Sequence, residues 1–443
     1  MHHRLSRVRF AATRVALVVA TLVTTTAIAG ETQLVSVATS GEQADFESED
    51  AVMSANGRFV AFSTRAKLAD AAGAGFRNLY VRDRKKGRTA LISVTPSGAF
   101  AFAETPSISA NGRFVAFASF SSRILVEGDG DRGEDIYLHD RKKGKTVRVS
   151  RELNGPPAQS PEWSALLPSI SGNGRFIAFV SDSDALVEND DNDMFDVFLY
   201  DIRKGTTTLV SRGVDGTGAN DDACSEIGNR CAPPSLSKNG RFVVFISDAS
   251  NLVEGDTNGT ADVFLFDRKT ETTSRVSVGV GGEESNGRSF VARISANGRF
   301  VAFGSVATNL VLDDTNGTRD IFVRDLKKGT TTIVSVASSG EQSDRLSRLP
   351  SISANGRFIA FSSFAGNLVD GDTQSGVEVY VHDRKKGRTT KVSVDASGAD
   401  GDLPSDRASI SANGRFVSFE SSATNLVEGD ANGETDIFVR DRK

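Results

Sequence analysis

The side chains best suited to chemistry are oxygen donors in a recurring acidic loop. Glu254, Asp256, Asn258 and Asp262 stand at positions 1, 3, 5 and 9 of a stretch with Gly259 at position 6, and Glu428, Asp430, Asn432 and Asp436 repeat this around Gly433. Oxygens at that spacing around a sharp glycine turn match the start of an EF-hand-type loop, and hard Ca²⁺ takes six to eight such ligands. Partial copies occur at Asp314, Asn316 and Asp320, with Leu312 at position 1, and at Glu188, Asp190, Asn192 and Asp196, with Asp193 replacing glycine. Weaker ones are Glu127–Asp135, with Arg132 at the glycine position, and Asp370–Glu378; Asp70–Asn78 has lost the pattern. Two readings stand side by side. The loops hold Ca²⁺ as a cofactor, or they are turns in which Asp and Asn bond their own backbone. The first ligand is Glu, and Leu265 occupies position 12, where an EF-hand places a bidentate Glu.

Catalytic patterns are missing. There is no Gly-x-Ser-x-Gly elbow, no Gly-rich phosphate loop after a strand and no His-Glu-x-x-His. Beyond residue 29 the histidines are His139 and His382, at the same repeat position, which reads as an exposed strand end. Cys224 and Cys231 are the two cysteines and are expected to form a disulfide across a short loop in an oxidising compartment. Two long irregular segments, 152–168 and 213–234, break the repeat, and the first carries Glu162 and the single tryptophan, Trp163, as candidates for a ligand rim.

Positioning these loops is the task of a repeat. Asn-Gly-Arg-Phe begins at Asn56, Asn111, Asn173, Asn239, Asn297, Asn355 and Asn413, with spacings of 55, 62, 66, 58, 58 and 58. A fixed long period signals a solenoid, propeller or array. Each unit resolves into four short strands, clearest around 293–336, with Asn-Gly suggesting a type I′ hairpin between the first two. Helical periodicity is absent, so the expected fold is all-β: a seven-bladed β-propeller with four antiparallel strands per blade. The blades span about 50–94, 105–150, 167–211, 234–278, 291–336, 349–394 and 407–443, the last completed by 32–38. The seventh unit ends at Lys443 after its third strand, while Thr32–Gln43 reproduces the fourth strand and following loop found at Thr331–Gln342. The N-terminal strand is therefore expected to close the ring.

Residues 1–29 read as an export signal: four arginines, a short apolar run from Val15, and Ala27-Ile28-Ala29 before Gly30. The run is too short to span a bilayer. Removing those arginines takes the net charge from −5 to −9, which argues against nucleic acid as a partner. On a propeller frame the Asn-Gly-Arg turns and Lys/Arg-rich turns share one face, and the acidic loops share the other with the inter-blade loops. The basic face reads as solvated turns or as a polyanion patch.

Ser-Ile-Ser-Ala-Asn-Gly-Arg-Phe-Val-Ala-Phe followed by Asp-Ile-Phe-Val-Arg-Asp resembles the WD40-like propeller repeats of the TolB type, over essentially all of 31–443. That resemblance implies a secreted bacterial propeller, periplasmic or extracellular, with no membrane span. TolB itself resembles six blades behind a small α/β domain, and this chain has seven units and no such domain. The oligogalacturonate-lyase relatives need a histidine cluster, which two histidines do not make. The expectation is a monomeric, non-enzymatic binding or scaffold module with a protein or polysaccharide ligand at the loop face; the alternative is a carbohydrate-active hydrolase or lyase.

Overall fold

The computed structural model describes residues 30–443 except 74, 121–124, 127–132, 152–163, 189, 191, 224–231 and 373–375. The export signal, Glu127, Asp129, Asp131, Glu162, Trp163, Gln374, Cys224 and Cys231 lie outside the described residues.

The described strands form seven four-stranded antiparallel sheets. Blade one is Ser48–Met53, Phe59–Thr64, Asn78–Asp83 and Arg88–Leu91. The same order repeats to blade seven, where Ser405–Ile410, Phe416–Ser421 and Asp436–Asp441 are joined by Thr32–Leu34. Thr32 faces Arg440 and Leu34 faces Phe438, and Val35 N donates to Ile437 O at 2.8 Å. The closing strand is thus Thr32–Leu34, a little shorter than the expected 32–38, and from Ser36 the chain turns so that the serine hydroxyl donates to Asp436.

First strands of consecutive blades touch all round the channel, those of blades seven and one included. A belt of backbone hydrogen bonds ties the Asn-Gly turns together. Ala55 N donates to Ala110 O, Ala110 N to Gly172 O, Asn173 N to Lys238 O, Lys238 N to Ala296 O, Asn297 N to Ala354 O and Ala354 N to Ala412 O. Ala412 N closes the circle on Ala55 O at 2.8 Å. The turns themselves are not type I′. Among their residues only the glycine has positive φ (71° at Gly57), and Gly57 N closes on Ser54 O at 2.8 Å. The turn sits on Ala55 and Asn56 with Gly57 as the left-handed residue after it, the three-residue hairpin alternative. Asn56 Oδ1 accepts from Arg58 N, and Ser54 Oγ accepts from Phe59 N.

Each blade buries one aromatic pair, from Phe62–Tyr80 in blade one to Phe419–Phe438 in blade seven, with centroids 5.7–6.0 Å apart. Apolar side chains on both sheet faces fill the space between blades, as stacked sheets require.

Candidate functional site

The acidic loops are compact, but their oxygens are largely spent within the fold. Asp262 is fully buried; its Oδ1 accepts from Ser277 Oγ and its Oδ2 from Asn258 Nδ2 at 2.8 Å. Asn258 Oδ1 accepts from Thr260 N at 3.1 Å, so the amide presents its NH2 to the loop interior. Asp320 with Ser335 and Asn316, Asp436 with Ser36 and Asn432, and Asp196 with Ser211 and Asn192 repeat this arrangement. Burial pushes the carboxyls of Asp196 and Asp262 up to about 6, and raises those of Asp320 and Asp436. Glu188, Glu254 and Glu428, expected as first ligands, are exposed. Among the described residues no group of three His, Cys, Asp or Glu side chains is arranged to hold a metal ion.

What remains is the carboxylate at position 3, and most copies have a resident partner. In blade four Arg275 Nη1 lies 2.6 Å from Glu284 and 3.6 Å from Asp262, and its Nη2 lies 3.8 Å from Asp256. In blade six Lys391 Nζ lies 2.7 Å from Asp372 and 3.0 Å from Asp400. In blade two Arg148 pairs instead with the position-9 carboxylate, Asp135, at 2.8 Å. These cations share one register, opposite Phe264, Tyr380 and Tyr137 respectively. Blades one, three, five and seven place Leu91, Leu209, Ile333 and Leu34 there. In blade seven Gln43 Nε2 donates to Asp430 at 2.6 Å and to Asp436 at 2.9 Å. In blade five Asp314 Oδ1 is buried without a partner, and burial beside Asp320 raises its carboxyl to about 6.

The histidines correct an expectation. His139 and His382 are each 6% exposed, not surface residues, and each Nδ1 meets a threonine hydroxyl, Thr146 at 3.0 Å and Thr389 at 2.9 Å. Their column is covered by the neighbouring blade's loop: Thr389 also reaches Val336 O. Burial pushes His382 down to about 4, so it is neutral at physiological pH.

On the basic face the motif arginines are likewise compensated within the fold. The motif arginine of every blade pairs with the aspartate ending its third strand through two hydrogen bonds, as Arg299 Nε and Nη2 do with Asp325 at 2.9 and 2.6 Å.

The densest polar network lies elsewhere, at the channel mouth on the loop face, where the first strands begin. These strands bulge near their start in blades one, two, three, six and seven, and Asp50, Thr105, Leu167, Leu349 and Arg407 take φ between 48° and 58° there. Left-handed backbone at non-glycine residues costs energy, and bulges re-aim side chains. Here they sustain an arc of ion pairs from blade to blade. Arg348 meets Asp406 at 2.5 Å, Arg407 meets Asp50 at 3.0 Å, and Arg77 lies 3.0 Å from Glu49, 3.8 Å from Asp50 and 3.9 Å from Glu104. Glu420 backs the arc from the second strand of blade seven, accepting from Asp50 N at 2.7 Å. Burial, with Asp50 and Glu49 adding to it against Arg407, raises Glu420 to about 8; burial and Glu104 raise Glu134 to about 8. The mouth thus offers arginine donors, carboxylate acceptors and two carboxyls that stay protonated at neutral pH.

None of these residues was singled out from sequence, although a column reading marks some. Glu420 shares its position with Ser63, Ala118, Val180, Ile246, Gly304 and Ser362. A glutamate among small and apolar residues is the outlier.

No family model matches the chain, and no curated protein matches it. Among solved structures, the β-propeller domain of the Trilobed protease from Pyrococcus furiosus is 12% identical with a TM-score of 0.53, the match covering 90% of this chain and 95% of that one. An oligogalacturonate lyase in complex with manganese is 12% identical at a TM-score of 0.50, covering 88% of this chain and 87% of that one. TolB from Acinetobacter baumannii is 15% identical at 0.39; the match covers 71% of this chain and 59% of the length of that protein. At such identities the likeness is one of fold: this chain is an all-β, seven-bladed propeller closed by its N-terminal strand.

Proposed function

We propose that this chain is an exported binding or scaffold propeller that seats a protein or polysaccharide ligand at the loop-face mouth of its channel. The observation that carries this reading is the arc Arg348–Asp406, Arg407–Asp50 and Arg77–Glu49, held on strained bulges and crossing two blade boundaries. Strain of this kind is retained where the surrounding structure over-determines it, and such positions cluster at binding sites. A glycan and protein capture screen tests it, run with and without calcium, on the parent chain and on Arg407→Ala. Ligands captured by the parent and lost by the variant support the reading; capture indifferent to Arg407 refutes it.

Calcium keeps a narrower place here. The loop best suited to take it is that of blade five, where Asp314 has no internal partner. Blades four and six hold Arg275 and Lys391 against the equivalent carboxylates.

One observation favours a carbohydrate-active enzyme as second reading. Glu420 and Glu134, held neutral up to about 8, are in the range of a general acid. Release of shortened products from an oligosaccharide panel, lost in Glu420→Gln, would support it.

A further inference from the structure

Six turns join the third and fourth strands of blades one to six, at 84–87, 141–144, 202–205, 268–271, 326–329 and 384–387. Together they carry fifteen lysines and arginines and one acid, Glu271. The Asn-Gly turns on the same face contain no acid. This face therefore runs against the charge of the chain, which is −5 overall.

The fold holds these turns level with the belt of Asn-Gly turns. Arg84 Nη1 donates to Gly57 O at 2.7 Å, and its guanidinium lies 4.8 Å from the centroid of Phe416 in the preceding blade. Arg384 repeats this with Gly356 O at 2.8 Å and Phe300 at 4.7 Å, and Arg268 with Gly240 O at 3.0 Å and Phe176 at 4.4 Å. The lysines that follow are exposed, among them Lys85, Lys86, Lys142, Lys143, Lys385 and Lys386. Among the described residues the only lysine in an ion pair is Lys391, in the blade-six acidic loop. The aspartate ending each third strand does not neutralise the turn lysines, because its oxygens are already engaged. Asp325 accepts from Arg299 and from the backbone N–H groups of Lys327 and Lys328.

Their arrangement selects the partner. Like charges gathered on one side repel one another, and an anionic partner relieves that repulsion. The cations are spread over six blades at one level and do not follow a groove. The exposed large apolar residues, Phe76 and Leu312 among them, all stand in the loops of the other face, so no exposed ring here offers the stacking platform that single-stranded nucleic acid uses. A planar anionic array meets every turn at once, whereas a linear polyanion meets an arc of them.

We propose that this face docks on an anionic lipid surface, with the turn lysines against the headgroups and the acidic loops and mouth turned away. An anionic leaflet attracts lysine and arginine near its surface and repels the acidic loops, so both ends of the propeller set the orientation. The contact is electrostatic, without insertion, since this face exposes no large apolar side chain among the described residues. The proposal concerns the face opposite the mouth and stands whether or not the mouth takes a ligand.

Co-sedimentation of the full chain with phosphatidylcholine vesicles, with and without phosphatidylglycerol, tests it. Binding is expected only where phosphatidylglycerol is present. It should vanish between about 0.1 M and about 1 M salt, as the Debye length falls from about 10 Å to about 3 Å. Each surface cation contributes about fivefold, so the double variant Lys85→Gln, Lys86→Gln should bind about 25-fold more weakly. Both positions are exposed, and an unaltered thermal melt verifies folding. Amine acylation reads the orientation: vesicles should shield Lys385 and Lys386 and leave Lys67, exposed between the second and third strands of blade one, reactive. Salt-insensitive binding, equal binding by the double variant, or shielding of Lys67 in place of Lys385 overturns the proposal. Tighter binding of free polygalacturonate than of vesicles, compared per anionic group, overturns it in favour of a linear polyanion. Self-association without vesicles, lost in the double variant, overturns it in favour of the acidic face of a second copy.

Discussion

Gly57 of the first blade lies against the ring of Phe416 in the seventh, where an added Cβ would stand well inside 3.0 Å of ring carbons. The contact recurs around the propeller: Gly112 on Phe59, Gly174 on Phe114, Gly240 on Phe176, Gly298 on Phe242, Gly356 on Phe300 and Gly414 on Phe358. Phe59 also carries the guanidinium of Arg58 4.7 Å from its centroid and that of Arg141, from the next blade, at 4.4 Å. Asn-Gly-Arg-Phe is therefore a lock between blades as well as a turn. The turn needs a left-handed residue, and the neighbouring ring allows it no side chain.

Gly57→Ala should cost roughly 2–4 kcal/mol, combining left-handed backbone with an overpacked contact. Gly98 has φ 84° with open space around it, so Gly98→Ala should cost only about 1–2 kcal/mol. Denaturant midpoints of the two variants separate the terms. Equal losses would mean that packing on Phe416 contributes nothing.

Ring closure repeats a bond used inside every other blade but the first. Ser36 donates to Asp436 across the chain ends, as Ser277 donates to Asp262 within blade four. Both aspartates are fully buried. Ser36→Ala and Ser277→Ala should each cost about 1–3 kcal/mol, the penalty of leaving a buried charged acceptor short of a donor. A much smaller loss for Ser36→Ala, measured by thermal unfolding, would show that the N-terminal strand opens before the rest.

Two sets of carboxyls give stability opposite slopes with pH. The Arg299 guanidinium holds Asp325 down to about 2, so its contribution is complete above the unfolded value near 3.8 and fades as pH falls towards about 2. Glu420 is raised to about 8, so the folded state keeps a proton that the unfolded chain releases above about 4.5. Its burial therefore grows more costly from about pH 4.5 to 8. Glu420→Gln should match the parent near pH 4 and exceed it by up to a few kcal/mol at pH 8. Urea unfolding at both pH values checks this; a variant less stable at pH 8 would show that Glu420 is ionised and bound to Arg407.

The strands, the seven-fold repeat and the closing segment were legible because each rests on neighbours in sequence: Asn beside Gly, alternating apolar residues, a copy of Thr331–Gln342 at Thr32–Gln43. The turn type was misjudged because Asn-Gly leaves open which residues occupy the turn's centre. The loops were harder. Glu254–Asp262 reads as a ligand run along the chain, yet Arg275 reaches it only through the pairing of the third and fourth strands. The buried histidines and the charged mouth depend in the same way on what adjacent blades place over a column.

That pairing supplies a last prediction. In blade four Arg275 stands among Asp256, Asp262 and Glu284, whereas blade five has Ile333 at this register and leaves Asp314 unpartnered. Arg275→Leu gives blade four the blade-five arrangement. Without metal, removing one partner of a buried ion cluster should cost about 3–5 kcal/mol. The vacated loop then has three carboxylates without a cation, so calcium should restore part of the loss. At a concentration about 100 times its Kd a single site returns about 2.7 kcal/mol. In the parent chain calcium should act through blade five alone, and Asp314→Asn should abolish the shift. Melting curves of parent, Arg275→Leu and Asp314→Asn in calcium and in chelator decide between the two readings of these loops. Curves that coincide in every pair would make the acidic loops plain turns, with Arg275 a structural cation and nothing more.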